Sequence, residues 1–193
     1  METRYDLLII GAGPGGYIAA QKAAKMGMSV LVIDKGEIGG TCVNRGCIST
    51  KALIHASSLY RDMVNCKEFG ITADNIGFDL QKIFEYKDNS AAAMRADLEE
   101  QFDELDIHFL QGHATIMNHR KVYVQLPDGS NKIFQGKNIL IATGAKARKI
   151  PVKGAETAIE AVDYLLGKQT VGENVVIVGG GLTGCEIAYE LYL

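Results

Sequence analysis

Cys42 and Cys47 lie in Gly39-Gly40-Thr41-Cys42-Val43-Asn44-Arg45-Gly46-Cys47, a Cys-x4-Cys pair in a glycine-rich stretch. Two thiols this close can cycle between dithiol and disulfide by exchange with a substrate thiol. The spacing differs from Cys-x2-Cys, which marks zinc knuckles and thioredoxin-like sites. A helix opening at Thr41-Cys42 would set its dipole in favour of the thiolate, the nucleophilic form. Lys51 follows Cys47 by one helical turn and would hold positive charge on the same face. Two idle thiols in a loop are the plainer alternative. Zinc is a third, but it needs three or four ligands and only His55 is near in sequence. Cys66 and Cys185 stand alone and read as ordinary thiols. His108, His113 and His119 read as plain imidazoles in strand-forming sequence.

Those thiols follow a strand–turn–helix–strand unit that must position them. Leu7 to Ile10 is a short apolar run, the pattern of a central parallel strand. It ends in Gly11-Ala12-Gly13-Pro14-Gly15-Gly16, a Gly-x-Gly-x-x-Gly turn. The first glycine makes the turn, the second lets backbone approach a pyrophosphate, and the third lets helix and strand pack closely. A helix over residues 13–26 supplies amide donors at its start. Val30 to Ile33 is the next strand, closing on Asp34 and Lys35. Asp34 lies 18 residues after Gly16, placed for a ribose hydroxyl. Three glycines can also mark a mere packing turn; the flanking strand and helix together with Asp34 favour a dinucleotide.

Further along, residues 41–65 read as largely helical and 70–78 as a loop. A long amphipathic helix covers 80–105, its Arg95, Asp97, Glu99 and Glu100 reading as a solvated face. Residues 107–110, 114–117, 121–126 and 131–134 read as a four-stranded β-meander with Pro127-Asp128-Gly129-Ser130 as a hairpin turn. Residues 138–142 form another buried strand, closing on Thr143-Gly144. Residues 154–172 are a linker with one helix. A strand over Val175–Val178 then opens a second glycine turn, Gly179-Gly180-Gly181-Leu182-Thr183-Gly184, and a helix that stops at Leu193.

The composition, 47% hydrophobic and 22% charged over 193 residues, is that of an ordinary soluble globular protein, and the alternating strands and helices make its fold class α/β. A net charge of −3 gives no reason to expect nucleic acid or an anionic membrane as partner. No run approaches the roughly 20 apolar residues of a membrane span. Met1-Glu2-Thr3 leads straight toward the first strand, which leaves no room for a secretory signal and points to a cytoplasmic setting. Four cysteines in a reducing compartment argue against a structural disulfide framework.

Three segments resemble, in order, the FAD domain of the flavoprotein disulfide reductases: residues 9–17, residues 39–48, and Ile139-Leu140-Ile141-Ala142-Thr143-Gly144. Within that family, Lys51-Ala52-Leu53-Ile54-His55 is most similar to the dihydrolipoamide dehydrogenases. The resemblance implies a Rossmann-like FAD-binding domain with a redox-active disulfide over residues 1–150. Residues 151–193 would be a linker and the truncated start of a Rossmann-like NAD-binding domain. It implies that Cys42 is the interchange thiol and Cys47 the charge-transfer thiolate over the flavin. Lys51 would lie near flavin N5, paired with Glu186. FAD would be held by Gly11, Gly13, Pro14, Gly15, Gly16, Asp34 and Lys35 from the first unit. Gly40, Thr41, Cys42 and Lys51 would add contacts from the thiol segment. The backbone of Gly112-His113-Ala114 would meet the adenine, with Ala142, Thr143 and Gly144 as the last contact. Gly179, Gly181 and Gly184 would hold NAD, in a site this chain leaves incomplete.

The implied reaction passes electrons from a dithiol through the Cys42/Cys47 disulfide and FAD to NAD+. The implied substrate is a lipoyl group of a 2-oxo acid dehydrogenase or glycine cleavage complex, and the family works as a homodimer. A glutathione- or mercuric-reductase-like NADPH enzyme and a non-catalytic flavin-binding fragment stay open beside it. The chain departs from the family in carrying Ser49 where proline usually follows Cys47-Ile48. Residues 163–193 are more similar to old-yellow-enzyme-type NADH:flavin oxidoreductases. The family's C-terminal domain, which supplies a His-Glu base from the partner subunit, has no counterpart here. The chain is therefore expected to be an N-terminal fragment, inactive alone.

Overall fold

A computed structural model describes residues 3–192. The chain alternates β1 (Thr3–Ile10), α1 (Pro14–Lys25) and β2 (Val30–Asp34). Leu8, Ile9 and Val30 to Ile33 are buried, as befits strands covered on both faces. Proline at its first position fits the start of α1, because that residue's amide would have no intrahelical partner anyway. The buried stripe Gly16, Ala20, Ala23 is made of small residues, so α1 lies close on the sheet.

The helices α2 (Gly40–Arg45) and α3 (Cys47–Val64) follow, then α4 (Leu80–Glu104). Next come β3 (His108–Gln111), β4 (His113–Ile116), β5 (Lys121–Gln125) and β6 (Asn131–Ile141). Two further helices, α5 (Ala161–Leu165) and α6 (Leu182–Tyr192), complete the described residues. The six strands form one mixed sheet in the order β3-β2-β1-β6-β5-β4. β3, β2, β1 and β6 run parallel, and β5 and β4 extend the sheet antiparallel.

The chain divides into two compact units, one of residues 1–44 and 92–146, the other of 45–91 and 147–193. The first contains the sheet, with a core of Leu8, Leu31, Ile33, Val122, Val124 and Phe134. The second packs Leu53, Tyr164, Leu165 and Ile187 together.

Residues 41–65 are largely helical as expected, in two helices parted at Gly46, whose backbone (φ −144°, ψ −107°) is not helical. Three expectations from the sequence are corrected. Residues 107–110 do not begin the meander: β3 pairs parallel with β2, Asp34 opposite Gln111. Residues 131–134 and 138–142 belong to one strand, β6, which pairs with β5 at its start and with β1 along its length. Val175–Val178 is not a strand: among the described residues no strand pairs with it, and Val176 is 90% exposed. The expectations for Met1-Glu2 and for a helix stop at Leu193 lie outside the described residues.

Candidate functional site

In the first unit, two loops converge on the Gly11–Gly16 turn. A Cβ on Gly11 (φ +108°) would sit 2.1 Å from the Ala142 carbonyl oxygen, and one on Gly16 would sit 1.8 Å from the Gly11 carbonyl oxygen. The Ala142 N–H donates to the Ile10 carbonyl at 2.8 Å, which binds the end of β6 to the turn. On the other side the Gly39 N–H donates to the Ala12 carbonyl at 2.9 Å. Gly40 (φ +59°) approaches so closely that a Cβ would fall 2.6 Å from the Gly13 Cα. No side chain caps α1. Its first turn and the bare backbone around it thus form a cradle suited to an anionic pyrophosphate. The residues fit a dinucleotide because glycine at 11, 16 and 40 lets these backbone segments pack closely and leaves the uncapped first turn of α1 bare.

Asp34 ends β2 beside this turn. Its carboxylate accepts the Ala12 N–H at 2.7 Å and the Gly36 N–H at 2.9 Å, which orient it and leave lone pairs for a sugar hydroxyl. The Asp34 carbonyl accepts the Gly112 N–H at 2.8 Å, which brings the segment Gly112-His113-Ala114 alongside. A Cβ at Gly112 would meet Val124 Cγ1 at 2.5 Å, a constraint that local sequence reading missed. His113 and Lys35 are exposed, as are Gly15, Thr143 and Gly144.

Cys42 is the third residue of α2 and is half-buried in the first unit. Asn44, two residues on, closes α2 against the loop before it. Its amide donates to the Ile38 and Gly40 carbonyls, each at 3.0 Å. Arg95 of α4 donates to the Asn44 amide oxygen at 2.9 Å and lies 3.6 Å from the Glu37 carboxylate. The sequence suggested a solvated Arg95; helical periodicity carries no signal for a partner 51 residues away.

In the second unit, Cys47 is the exposed first residue of α3, capped by Gly46. The Gly46 carbonyl accepts both the Thr50 amide at 2.8 Å and its hydroxyl at 3.0 Å, which anchors this helix start. Lys51 stands one turn after Cys47, and its ammonium is bonded to the Glu186 carboxylate of α6. Leu53 and Ile187, their near neighbours on the two helices, share a buried cluster that holds the pair in register. The Tyr164 hydroxyl of α5 donates to Glu190 of α6 at 2.6 Å, while burial raises the Glu190 carboxyl above its usual range.

The second glycine turn repeats the inner geometry of the first. Gly179 has φ +118°, and a Cβ on Gly184 would meet the Gly179 carbonyl oxygen at 2.0 Å and Ile177 Cγ2 at 3.4 Å. The outer contacts differ: a Cβ on Gly181 would meet nothing within 4 Å, and the same holds at Gly179. The tight turn is built, but the walls seen around Gly11 and Gly13 are not.

The model of the pyridine nucleotide-disulphide oxidoreductase family matches residues 5–192. Similar proteins include the mitochondrial dihydrolipoyl dehydrogenase of Dictyostelium discoideum, 37% identical over 94% of this chain and 38% of its own length. Dihydrolipoyl dehydrogenase 3 of Haloarcula marismortui is 38% identical over 97% of this chain and 40% of its own. That of Chlorobaculum parvum is 35% identical over 97% and 40%. The chain thus spans about two fifths of the length of these relatives.

Proposed function

Because the chain belongs to the pyridine nucleotide-disulphide oxidoreductase family, we propose that it forms the flavin-binding part of a dihydrolipoyl dehydrogenase-type enzyme, which oxidises a dithiol at the expense of NAD+. The observation that carries this reading is the placement of Cys47, Lys51 and Glu186 on two helices of one unit, with Lys51 bonded to Glu186. The other unit holds the backbone cradle for a dinucleotide pyrophosphate. On this reading residues 1–150 bind FAD and residues 151–193 begin the nicotinamide portion.

The chain's own residues would act by thiol exchange. A substrate thiolate attacks Cys42 Sγ of the oxidised pair, the Cys42–Cys47 bond breaks, and Cys47 leaves as thiolate. The second substrate thiolate then attacks the mixed disulfide, forming the substrate disulfide and releasing Cys42 as a thiolate, which takes a proton from solvent. Lys51, kept in place by Glu186, holds a positive charge one turn from Cys47. FAD, when bound, supplies the two-electron carrier between thiols and nicotinamide. The glycine cradle, Asp34 and the backbone of Gly112–Ala114 would hold its adenosine pyrophosphate. The substrate in this reading is a lipoyl group, the working form a homodimer, and the setting the cytoplasm.

The test uses the full reading frame. Cys47→Ser should abolish dihydrolipoamide oxidation by NAD+ while the protein still purifies with bound flavin. Turnover retained by that variant would sink the assignment.

A further inference from the structure

Asn44 lies between the two cysteines, and its side chain is fully committed. Both partners of its NH2 group are carbonyls, of Ile38 and Gly40. Its amide oxygen accepts from the Arg95 guanidinium. An acceptor-only pair on one end and a donor-only group on the other leave one orientation of the amide. The same guanidinium faces Glu37, at the far end of the loop. Arg95 therefore spans the segment from Glu37 to Asn44, whose middle, Gly39 and Gly40, is seated on the phosphate turn at Ala12 and Gly13. Cys42 is carried within that span. The Arg95 side chain is 28% exposed, so it works partly out of water, where a charge-assisted bond counts for more.

We propose that Arg95 is a positioning residue for the Cys42 thiol: through Asn44 and Glu37 it holds α2 closed on its entry loop and so limits access to Cys42. The purpose of this device rests on the thiol-exchange reading above, but its existence does not. Arg95 acts through Asn44 and Glu37, setting the geometry in which the sulfur is presented. Lysine in its place would restore one charged bond to Asn44 without the fork that also reaches Glu37.

The experiment is alkylation of the 193-residue chain by iodoacetamide, read cysteine by cysteine by mass spectrometry. Cys185, exposed on α6 of the other unit, is the internal reference. Arg95→Met keeps the apolar stem and removes the guanidinium; it should raise the Cys42-to-Cys185 rate ratio about tenfold, equivalent to about 1.4 kcal/mol of local closure. Arg95→Lys should recover most of that change. Asn44→Ala should raise the ratio similarly, and adding Arg95→Met to it should raise it by clearly less than Arg95→Met does alone, because the two side chains share a bond. Should Arg95→Met not fold, Glu37→Gln leaves the guanidinium in place and should move the ratio about twofold the same way. An unchanged ratio in either Arg95→Met or Glu37→Gln, or additive effects of Arg95→Met and Asn44→Ala, would overturn the proposal. So would an equal rise in the hydrogen exchange of Leu31 to Ile33, which would mean that the whole unit had loosened. None of these readouts needs turnover, so a failed dithiol assay and a failed Arg95 proposal are told apart.

Discussion

The Lys51 ammonium and the Glu186 carboxylate meet across 135 residues of chain, joining α3, which begins at Cys47, to α6, which follows the second glycine turn. Lys51 is 61% exposed and Glu186 21%, so the bond is part-solvated and its weight in folding is modest. A double-mutant cycle with Lys51→Met and Glu186→Gln should give a coupling of about 0.5–1 kcal/mol in urea unfolding. A coupling indistinguishable from zero would mean that the pair does not persist in solution.

Gly40 and Gly129 separate crowding from backbone strain. Both have left-handed backbone, φ +59° and +83°, but only Gly40 is crowded, with the Gly13 Cα 2.6 Å from any added Cβ. Gly129→Ala should cost about 1 kcal/mol, the strain alone. Gly40→Ala should cost about 3 kcal/mol and weaken flavin binding, since it parts α2 from the phosphate turn. Denaturant unfolding with a flavin titration of each variant checks this.

Asp34 accepts two backbone amides with its two oxygens. Asn at that position would turn an NH2 group toward one of them. Asp34→Asn should therefore lower flavin affinity at least tenfold and destabilise the first unit by about 1–3 kcal/mol. Equal affinities in a flavin titration would show that the carboxylate is not used.

Two carboxyls should give pH dependences of opposite sign. The Lys137 ammonium, 2.6 Å from Asp6, and then the Ser29 amide and hydroxyl lower the Asp6 carboxyl to about 2. Its contribution is present above its unfolded value of 3.8 and is lost as pH falls through about 2. Burial raises Glu190 above 4.5, against the lowering effect of the Tyr164 bond. The folded state thus binds the extra proton, and this contribution is lost as pH rises from 4.5 upward. Glu190→Gln should raise the thermal midpoint at pH 7 and leave it little changed at pH 4. Lys137→Met should move the Asp6 titration, followed by NMR, back toward 3.8.

What was legible in the sequence was local. The Gly11–Gly16 turn, Asp34 and the Cys42–Lys51 spacing are carried by neighbouring residues, and their conformations follow from glycine freedom, strand periodicity and helical turn length. β3 was misassigned because a short strand reads alike whether its partner is parallel or antiparallel, and the choice is made by β2, more than seventy residues earlier. Val175–Val178 has the composition of a buried strand but lacks a neighbour among the described residues, and pattern cannot form a ladder by itself. Arg95 and Gly112 owe their roles to contacts far along the chain, with Asn44 and Val124. Periodicity placed Arg95 on a polar face and gave Gly112 no role beyond a break between strands.

The central claim, that thiol chemistry in this chain is wired to a bound flavin, is tested most directly by the flavin's own absorbance. The product of the full reading frame is loaded with FAD, freed of excess and mixed anaerobically with dihydrolipoamide, beside its Cys47→Ser variant. The expected result is bleaching of the flavin band in the unmodified chain and none in the variant, although both bind FAD. Equal bleaching in both, or no FAD bound by either, would contradict the account.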